Sequence, residues 1–420
     1  MAEEAEQIKW WVGIDWASEK HLACLIDRHG NQVGVREVAH GGTGLAELCD
    51  WLIATTAAAP AEIAVAIETA HGPVVETLLE RGFAVHAINP KQLDRFRDRF
   101  TVAGAKDDRR DGLVLADSLR TDRRAFRRLA GDDPLLIELR EWSRLTDELQ
   151  SERIRLANRL REQLWRYYPQ ALRLTDDHAA DWFLALWQLA PTPAKAAKLR
   201  PASVAKLLAA HRIRRLTAEA VVERLRQPPL AVSSGAVAAA SDHIRLLIAR
   251  LTLLNRQLKQ AHQRLDALSA ALAPAAEPPP GQACEQRDGM ILRSLPGVGR
   301  INLATLLAEA WEPLRRRDYH ALRALSGVAP VTRRSGKSCI VIRRHACSPR
   351  LAKALYHWAR IAIQHDPVSR QRYAALRQRG HRHGRALRSV GDRLLALACT
   401  LLRRQVPFDP HYRQPQAAAA

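Results

Sequence analysis

The chain has 420 residues, 47% of them hydrophobic, which is enough to bury two or three separate cores. Lys and Arg number 65 against 44 Asp and Glu, and the formal charge of +21 suits a polyanionic partner, nucleic acid before any other. No apolar run reaches bilayer length and the six cysteines lack metal-ligand spacing, which excludes a membrane span and a zinc ribbon.

The opening Met-Ala-Glu-Glu is wrong for a secretory leader, so a cytoplasmic protein with reduced thiols is expected. Three strand-like segments come first, at 11–15, 21–27 and 32–38, with His29-Gly30-Asn31 turning the second into the third. A helix over 43–56 follows, with Leu45, Leu48 and Leu52 on one face. Residues 63–68 form an apolar run suited to a buried strand, 74–81 a helix stopped by Gly82, and 84–89 a second buried strand stopped by Pro90. Residues 91–128 read as helical and strongly charged.

The order β-β-β-α-β-α-β-α is that of a ribonuclease-H-like fold, in which the first and fourth strands are neighbours. Asp15 and Glu68, each ending an apolar strand, would then come together. Actin-like sugar kinases share this opening, but Asp15-Trp-Ala-Ser is a poor match to their glycine-rich phosphate loop. Lys106-Asp-Asp-Arg-Arg-Asp111 separates the two readings. Asp108 and Asp111, three apart on a helix, share a face and repel each other unless a cation lies between them or basic neighbours pair with them. With Asp15 and Glu68 they make a four-carboxylate site for Mg²⁺ or Mn²⁺, ions that want hard oxygen ligands and keep open positions for phosphate.

Residues 134–272 are almost wholly helical. Leu139, Trp142, Leu149, Leu156 and Leu160 outline one apolar stripe. Ile244, Leu247, Leu251, Leu254, Leu258, Ala261, Leu265, Leu268 and Leu272 step by three and four throughout, the spacing of a coiled-coil seam. The stripes can pack within one chain or across a dimer. A Pro- and Ala-rich linker follows, and then Pro296-Gly-Val-Gly299 stands before a helix like the turn of a helix-hairpin-helix. There Gly297, Gly299 and Arg300 suit a phosphate backbone without base readout. In Val331-Thr-Arg-Arg-Ser-Gly-Lys-Ser338, Ser335 is flanked by Arg333, Arg334 and Lys337. It is either a nucleophile beside a phosphate or a polar loop serine on the DNA backbone, with Ser326 and Ser338 as competing hydroxyls. Residues 343–404 read as helical and rich in arginine, suited to phosphate contacts.

Gly13-Ile-Asp15, Ile67-Glu-Thr69, Asn89-Pro90 and the block from Lys106 through Asp108 and Asp111 to Ala116 resemble a DEDD transposase domain. Leu295-Pro-Gly-Val-Gly299, Leu325-Ser-Gly-Val-Ala-Pro330 and Ser335-Gly-Lys337 resemble the second block of the same family, the insertion-sequence transposases related to the Piv DNA invertase. The resemblance implies a RuvC-like DEDD metal-binding domain over 8–130, a helical coiled-coil region over 131–272, a linker over 273–288, a C-terminal helical transposase domain over 289–410 and a disordered tail over 411–420. It further implies catalysis by Asp15, Glu68, Asp108, Asp111 and Ser335 through a covalent phosphoserine on DNA. A non-coding bridge RNA would guide a homo-oligomer, dimer or tetramer. The chain departs from the family in having Lys106-Asp107-Asp108 where Lys-Thr-Asp is usual, and Arg343-Arg-His-Ala-Cys347 where a Gly-Asn/Asp pattern is usual. A junction-resolving nuclease with water as nucleophile would need the same acids but not the serine block. A nucleic-acid-binding protein without catalysis would need neither.

Overall fold

The computed structural model describes residues 8–97, 108–129, 131, 133–271, 285–336 and 338–410; the side chains of Lys91, Asp108 and residues 285–287 fall outside this set. The chain divides into two compact units at 133/134.

The first unit is built on a six-stranded mixed sheet in the order β3-β2-β1-β4-β5-β6. Its strands are β1 (Trp10–Trp16), β2 (Lys20–Ile26), β3 (Gln32–Ala39), β4 (Ile63–Ile67), β5 (Ala84–Ala87) and β6 (Arg127–Arg128). Strands β1, β2 and β3 pair antiparallel, while β4 lies parallel between β1 and β5. The helices are α1 (Gly42–Thr56), α2 (Pro73–Glu80), α3 (Pro90–Arg97) and α4 (Asp108–Thr121). This mixed architecture is consistent with a ribonuclease-H-like fold.

Side-chain size along β4 assigns the helices to the two faces. In Ile63-Ala-Val-Ala-Ile67 every residue is buried. The large residues Ile63, Val65 and Ile67 join Val12 and Ile14 in a core with Leu45, Leu48 and Leu52 of α1 and Val74, Val75 and Leu78 of α2. The alanines, Ala64 and Ala66, face Leu93 of α3 and Val114, Leu115 and Leu119 of α4. Small residues on one side let a helix backbone approach closely.

Residues 91–97 and 108–121 are helical as expected, and the departure comes at 122–128. After α4 ends at Thr121, Phe126 is buried and Arg127 and Arg128 pair with Ala87 and His86 as a short edge strand. Two exposed arginines on an edge carry no periodicity, and such charge discourages further strand pairing.

His21 on β2 is buried, with Nε2 within 2.9 Å of His40 Nδ1. Burial first, and the His40 charge second, push its pKa below the ordinary value of 6.5. The unfolded chain therefore takes up this proton before the folded one, and stability falls as pH drops through 6.5. Protection factors of β2 amides, taken against the intrinsic exchange rate at each pH, should fall between pH 7 and pH 5.5, and His21→Gln should flatten that dependence; an unchanged slope would remove His21 as its source.

Among the described residues the second unit is helical apart from one hairpin. Two long helices, α5 (Pro134–Tyr167) and α11 (Ser234–Ala271), bracket the short helices α6 (Pro169–Leu172), α7 (Asp181–Leu189), α8 (Pro193–Ala197), α9 (Pro201–Ala210) and α10 (Ala218–Leu225). After them come α12 (Glu285–Ser294), α13 (Arg300–Arg315), α14 (Tyr319–Leu325), β7 (Val331–Ser335), β8 (Ser338–Ile342), α15 (Pro349–His365), α16 (Pro367–Gln378) and α17 (His383–Arg404).

Helices α5 and α11 pack antiparallel within the chain, with Arg264 on Glu138 and Arg250 on Glu152. The α11 stripe from Ile244 to Leu268 is buried throughout, as are Leu139, Leu156 and Leu160 of α5, while Trp142 and Leu149 are partly buried. Leu272 lies outside the described residues. Each end of the pair is set in its own core. Leu136, Leu139, Leu265 and Leu268 join α12–α17, whereas Leu156, Leu160, Leu164, Ile244, Leu247 and Leu251 join α6–α10. At the first of these cores, buried Asp288 of α12 takes a two-pronged contact from Arg317 at 2.5 and 2.8 Å, tying α12 to the end of α13.

The helical stretch over 343–404 is divided into three helices, and the break before α16 carries a side-chain cap, whereas Arg382 before α17 supplies none. Asp366 Oδ2 accepts from Ser369 N at 3.0 Å and Ser369 Oγ at 2.5 Å to start α16. Asp366→Ala should cost about 1 kcal/mol in thermal unfolding; a variant as stable as the parent would show that solvent replaces the cap. No helix of the described residues is long and apolar enough to cross a membrane.

Candidate active site

Ile14 of β1 lies opposite Ile67 of β4, so Asp15 and Glu68 are the next residues at the same ends of adjacent parallel strands. Side chains alternate along a strand. Gly13 and Asp15 therefore share the face that Ala64 and Ala66 turn toward α4, and Glu68 continues that series. Carboxyl ends of parallel strands are where open α/β sheets place their ligands.

A glycine contact brings α4 onto this face. A Cβ on Gly13 would lie 1.9 Å from Gly112 O and 2.7 Å from Ala116 N. Asp111, one residue before Gly112, comes to the sheet with it and is 3% exposed. Asp108 opens α4 one turn earlier, and its side chain lies outside the described residues, as do Lys106 and Asp107.

The acids meet on a residue that no sequence motif marks. Arg97, the last residue of α3, sends Nε to Asp111 Oδ1 at 2.9 Å and Nη2 to Asp111 Oδ2 at 3.0 Å. The same Nη2 donates to Glu68 Oε1 at 3.1 Å, and Nη1 donates to Asp94 Oδ1 at 2.7 Å. Burial opposes the guanidinium's charge, but Asp111 first, then Glu68 and Asp94, outweigh it and raise its pKa above the ordinary arginine value. Only the Asp94–Arg97 spacing of three was visible beforehand. Among the described residues no group of three or more His, Cys, Asp or Glu side chains could by itself hold a metal ion. What Glu68 and Asp111 do offer is hard carboxylate oxygen already gathered around one cation, the donor chemistry that suits Mg²⁺ or Mn²⁺.

Ser335 lies in the second unit, at the end of a hairpin where a loop was expected. Strands β7 and β8 pair from Val331↔Ile342 to Ser335↔Ser338, with Gly336 in the turn at φ +53°. Lys337 lies outside the described residues. Arg333, Arg334, Ser335 and Ser338 are exposed, and among the described residues neither arginine has an acidic partner. Ser326 is buried, its Oγ directed at Arg323 O at 3.4 Å. Two unpaired guanidiniums beside an exposed hydroxyl can receive a phosphate.

The two glycines before α13 differ in their surroundings. Gly297 has φ +83°, and a Cβ there would lie 2.8 Å from Ala362 N of α15, so packing already demands glycine. Gly299, the residue before α13, has open space around it, and Arg300 makes an exposed pair with Asp266 at 2.5 Å.

A family model of DEDD transposases of the IS110 type matches residues 12–169, and a second, described as transposase IS116/IS110/IS902 family, matches 289–374. Over 214 residues the chain is 60% identical to the putative transposase y4uE of Sinorhizobium fredii, covering 51% of this chain and 60% of that protein. It is 34% identical over 409 residues to the mini-circle putative transposase for IS117 of Streptomyces coelicolor, covering 95% of each. It is 25% identical over 411 residues to an uncharacterized 44.8 kDa protein of insertion element IS116 from Streptomyces clavuligerus, covering 95% of this chain and 96% of that protein.

Proposed function

Because this chain belongs to the IS116/IS110/IS902 transposase family, we propose that it is the transposase of an insertion sequence, cutting and rejoining DNA through a serine ester. Ser335 Oγ attacks a backbone phosphorus, the bond from phosphorus to the leaving deoxyribose oxygen breaks, and that oxygen departs as a hydroxyl. The resulting phosphoserine keeps the ester linkage, and attack by a hydroxyl of the exchanged strand restores Ser335 and closes the new junction. Arg333, Arg334 and Lys337 hold the phosphate, and Gly297, Gly299 and Arg300 grip the backbone further along in a helix-hairpin-helix-like turn. Ser335 is exposed beside Arg333 and Arg334, which have no acidic partner among the described residues, and this favours it over the buried Ser326 as nucleophile; Ser338 is exposed too.

Asp15, Glu68, Asp108 and Asp111 would hold a divalent ion, magnesium or manganese, whose charge would stabilise a phosphate brought to them. The observation that carries this part is the register Ile14↔Ile67 together with the Gly13–Gly112 contact, which accounts for three acids at one sheet end. The metal-binding domain spans 8–130, the helical coiled-coil region 131–272 and the serine-bearing domain 289–410, with 411–420 as tail; of the linker expected over 273–288, residues 285–288 belong to α12. The protein works in the cytoplasm on DNA as a homo-oligomer, dimer or tetramer, and a non-coding bridge RNA reads the sequence by base pairing while the protein reads backbone.

The test is a denaturing gel of labelled junction DNA incubated with Mg²⁺, the protein and RNA from the element's flanks. A covalent protein–DNA band that Ser335→Ala and Asp15→Ala both lose is expected. Cleavage by Ser335→Ala without an adduct would move the protein to the water-using nucleases.

A further inference from the structure

Taking the acids to hold a dication, we infer that Arg97 is a built-in competitor for that ion, holding Glu68 and Asp111 together in its absence and displaced when it binds. One atom carries the case. Nη2 of Arg97 lies 3.0 Å from Asp111 Oδ2 and 3.1 Å from Glu68 Oε1, and so occupies the position bridging the two carboxylates. A magnesium ion takes its oxygen ligands at about 2.1 Å, closer than Arg97 stands, so a dication held by these carboxylates would compete with Nη2 for the same oxygens. Nε takes the other oxygen of Asp111 at 2.9 Å, so one side chain covers both oxygens of the buried acid.

Without a cation the two carboxylates would repel in a half-buried site, and Arg97 removes that repulsion. Displacement also has a landing place. Asp94, one turn back on α3 with a side chain 66% exposed, already holds Nη1 at 2.7 Å and can keep the guanidinium as it swings outward. Arginine is a monovalent, displaceable occupant of a site built for a harder, doubly charged one. Loading with metal then becomes an exchange of one cation for another, and the metal-free site is ordered rather than sprung apart.

The experiment is Mn²⁺ binding to the full-length protein without nucleic acid, followed by the electron paramagnetic resonance of free Mn²⁺ and by calorimetry, with folding checked by circular dichroism. Arg97→Met should bind Mn²⁺ about tenfold more tightly than the parent, since the competing state is gone. It should also melt lower than the parent in chelator and recover with Mn²⁺. Arg97→Lys, which keeps the charge but loses the fork, should fall between the two and covers the case in which Arg97→Met does not fold. Equal or weaker Mn²⁺ binding by folded Arg97→Met, or by Arg97→Lys in its place, would overturn the displacement. Asp111→Asn separates the two layers. If it abolishes binding while the Arg97 variants leave affinity unchanged, the acids hold metal and only the displacement is wrong. If it keeps parental affinity, the ion sits elsewhere and both fall.

Discussion

Ser335→Ala is expected to abolish the covalent DNA adduct while leaving the protein as stable as before. The hydroxyl is exposed at the end of β7 and makes no hydrogen bond among the described residues, so its removal should change unfolding free energy by no more than about 0.5 kcal/mol. Joining should fall at least about a thousandfold, the scale on which enzymes lose rate when their nucleophile is deleted. The decisive comparison is with Ser338→Ala, one cross-strand step away at the Ser335↔Ser338 pair. Retention of the adduct in Ser338→Ala and loss in Ser335→Ala would assign the nucleophile, measured as shifted label on denaturing gels. The reverse pattern would move it across the hairpin.

Gly13→Ala should give the opposite profile, a folding defect that takes activity with it. Its methyl would be driven to 1.9 Å from a backbone carbonyl and 2.7 Å from a backbone nitrogen, neither of which can swing aside like the tip of a side chain. Either α4 lifts from β1 or β1 bends, at a cost of about 3 kcal/mol or more. Because Asp111 adjoins Gly112, a lifted α4 carries that acid away from Glu68. Chemical denaturation of the first unit, followed by hydrogen exchange in β1 and β4, should show the loss, and Mn²⁺ binding should weaken in the fraction that remains folded. Unchanged exchange in β1 would mean that the contact is softer than its distance implies.

These two residues also mark what could be read beforehand and what could not. The strand expected over 63–68 was legible as an unbroken apolar run, since a strand buried on both faces shows no alternation, and the α11 stripe because one-sided helix burial imposes steps of three and four. The pairing of β1 with β4 followed from element order, and with it the proximity of Asp15 to Glu68. Arg97 was not legible, since it touches Asp111 across fourteen residues and Glu68 across twenty-nine, and arginines abound on that stretch. Nor was the β7–β8 hairpin. Arg333, Arg334 and Ser335 are all exposed, as are Ile340 and Val341, so no buried face imprinted an alternation. Gly13 and Gly112 are each visible as glycines, but their contact belongs to the packing of helix on sheet, to which no local pattern answers.

The antiparallel pair α5 and α11 has a mechanical consequence. Each helix is gripped by one core near residues 136–139 and 265–268 and by the other near 156–164 and 244–254. The span from Leu139 to Leu156, at 1.5 Å per residue, is about 25 Å. Removing one residue from either helix would rotate everything beyond it by about 100° and turn one grip out to water. Removing seven from both would shorten the strut by about 10.5 Å and leave both grips nearly in register. The spacing between the cores is therefore adjustable only in discrete notches, like a ratchet.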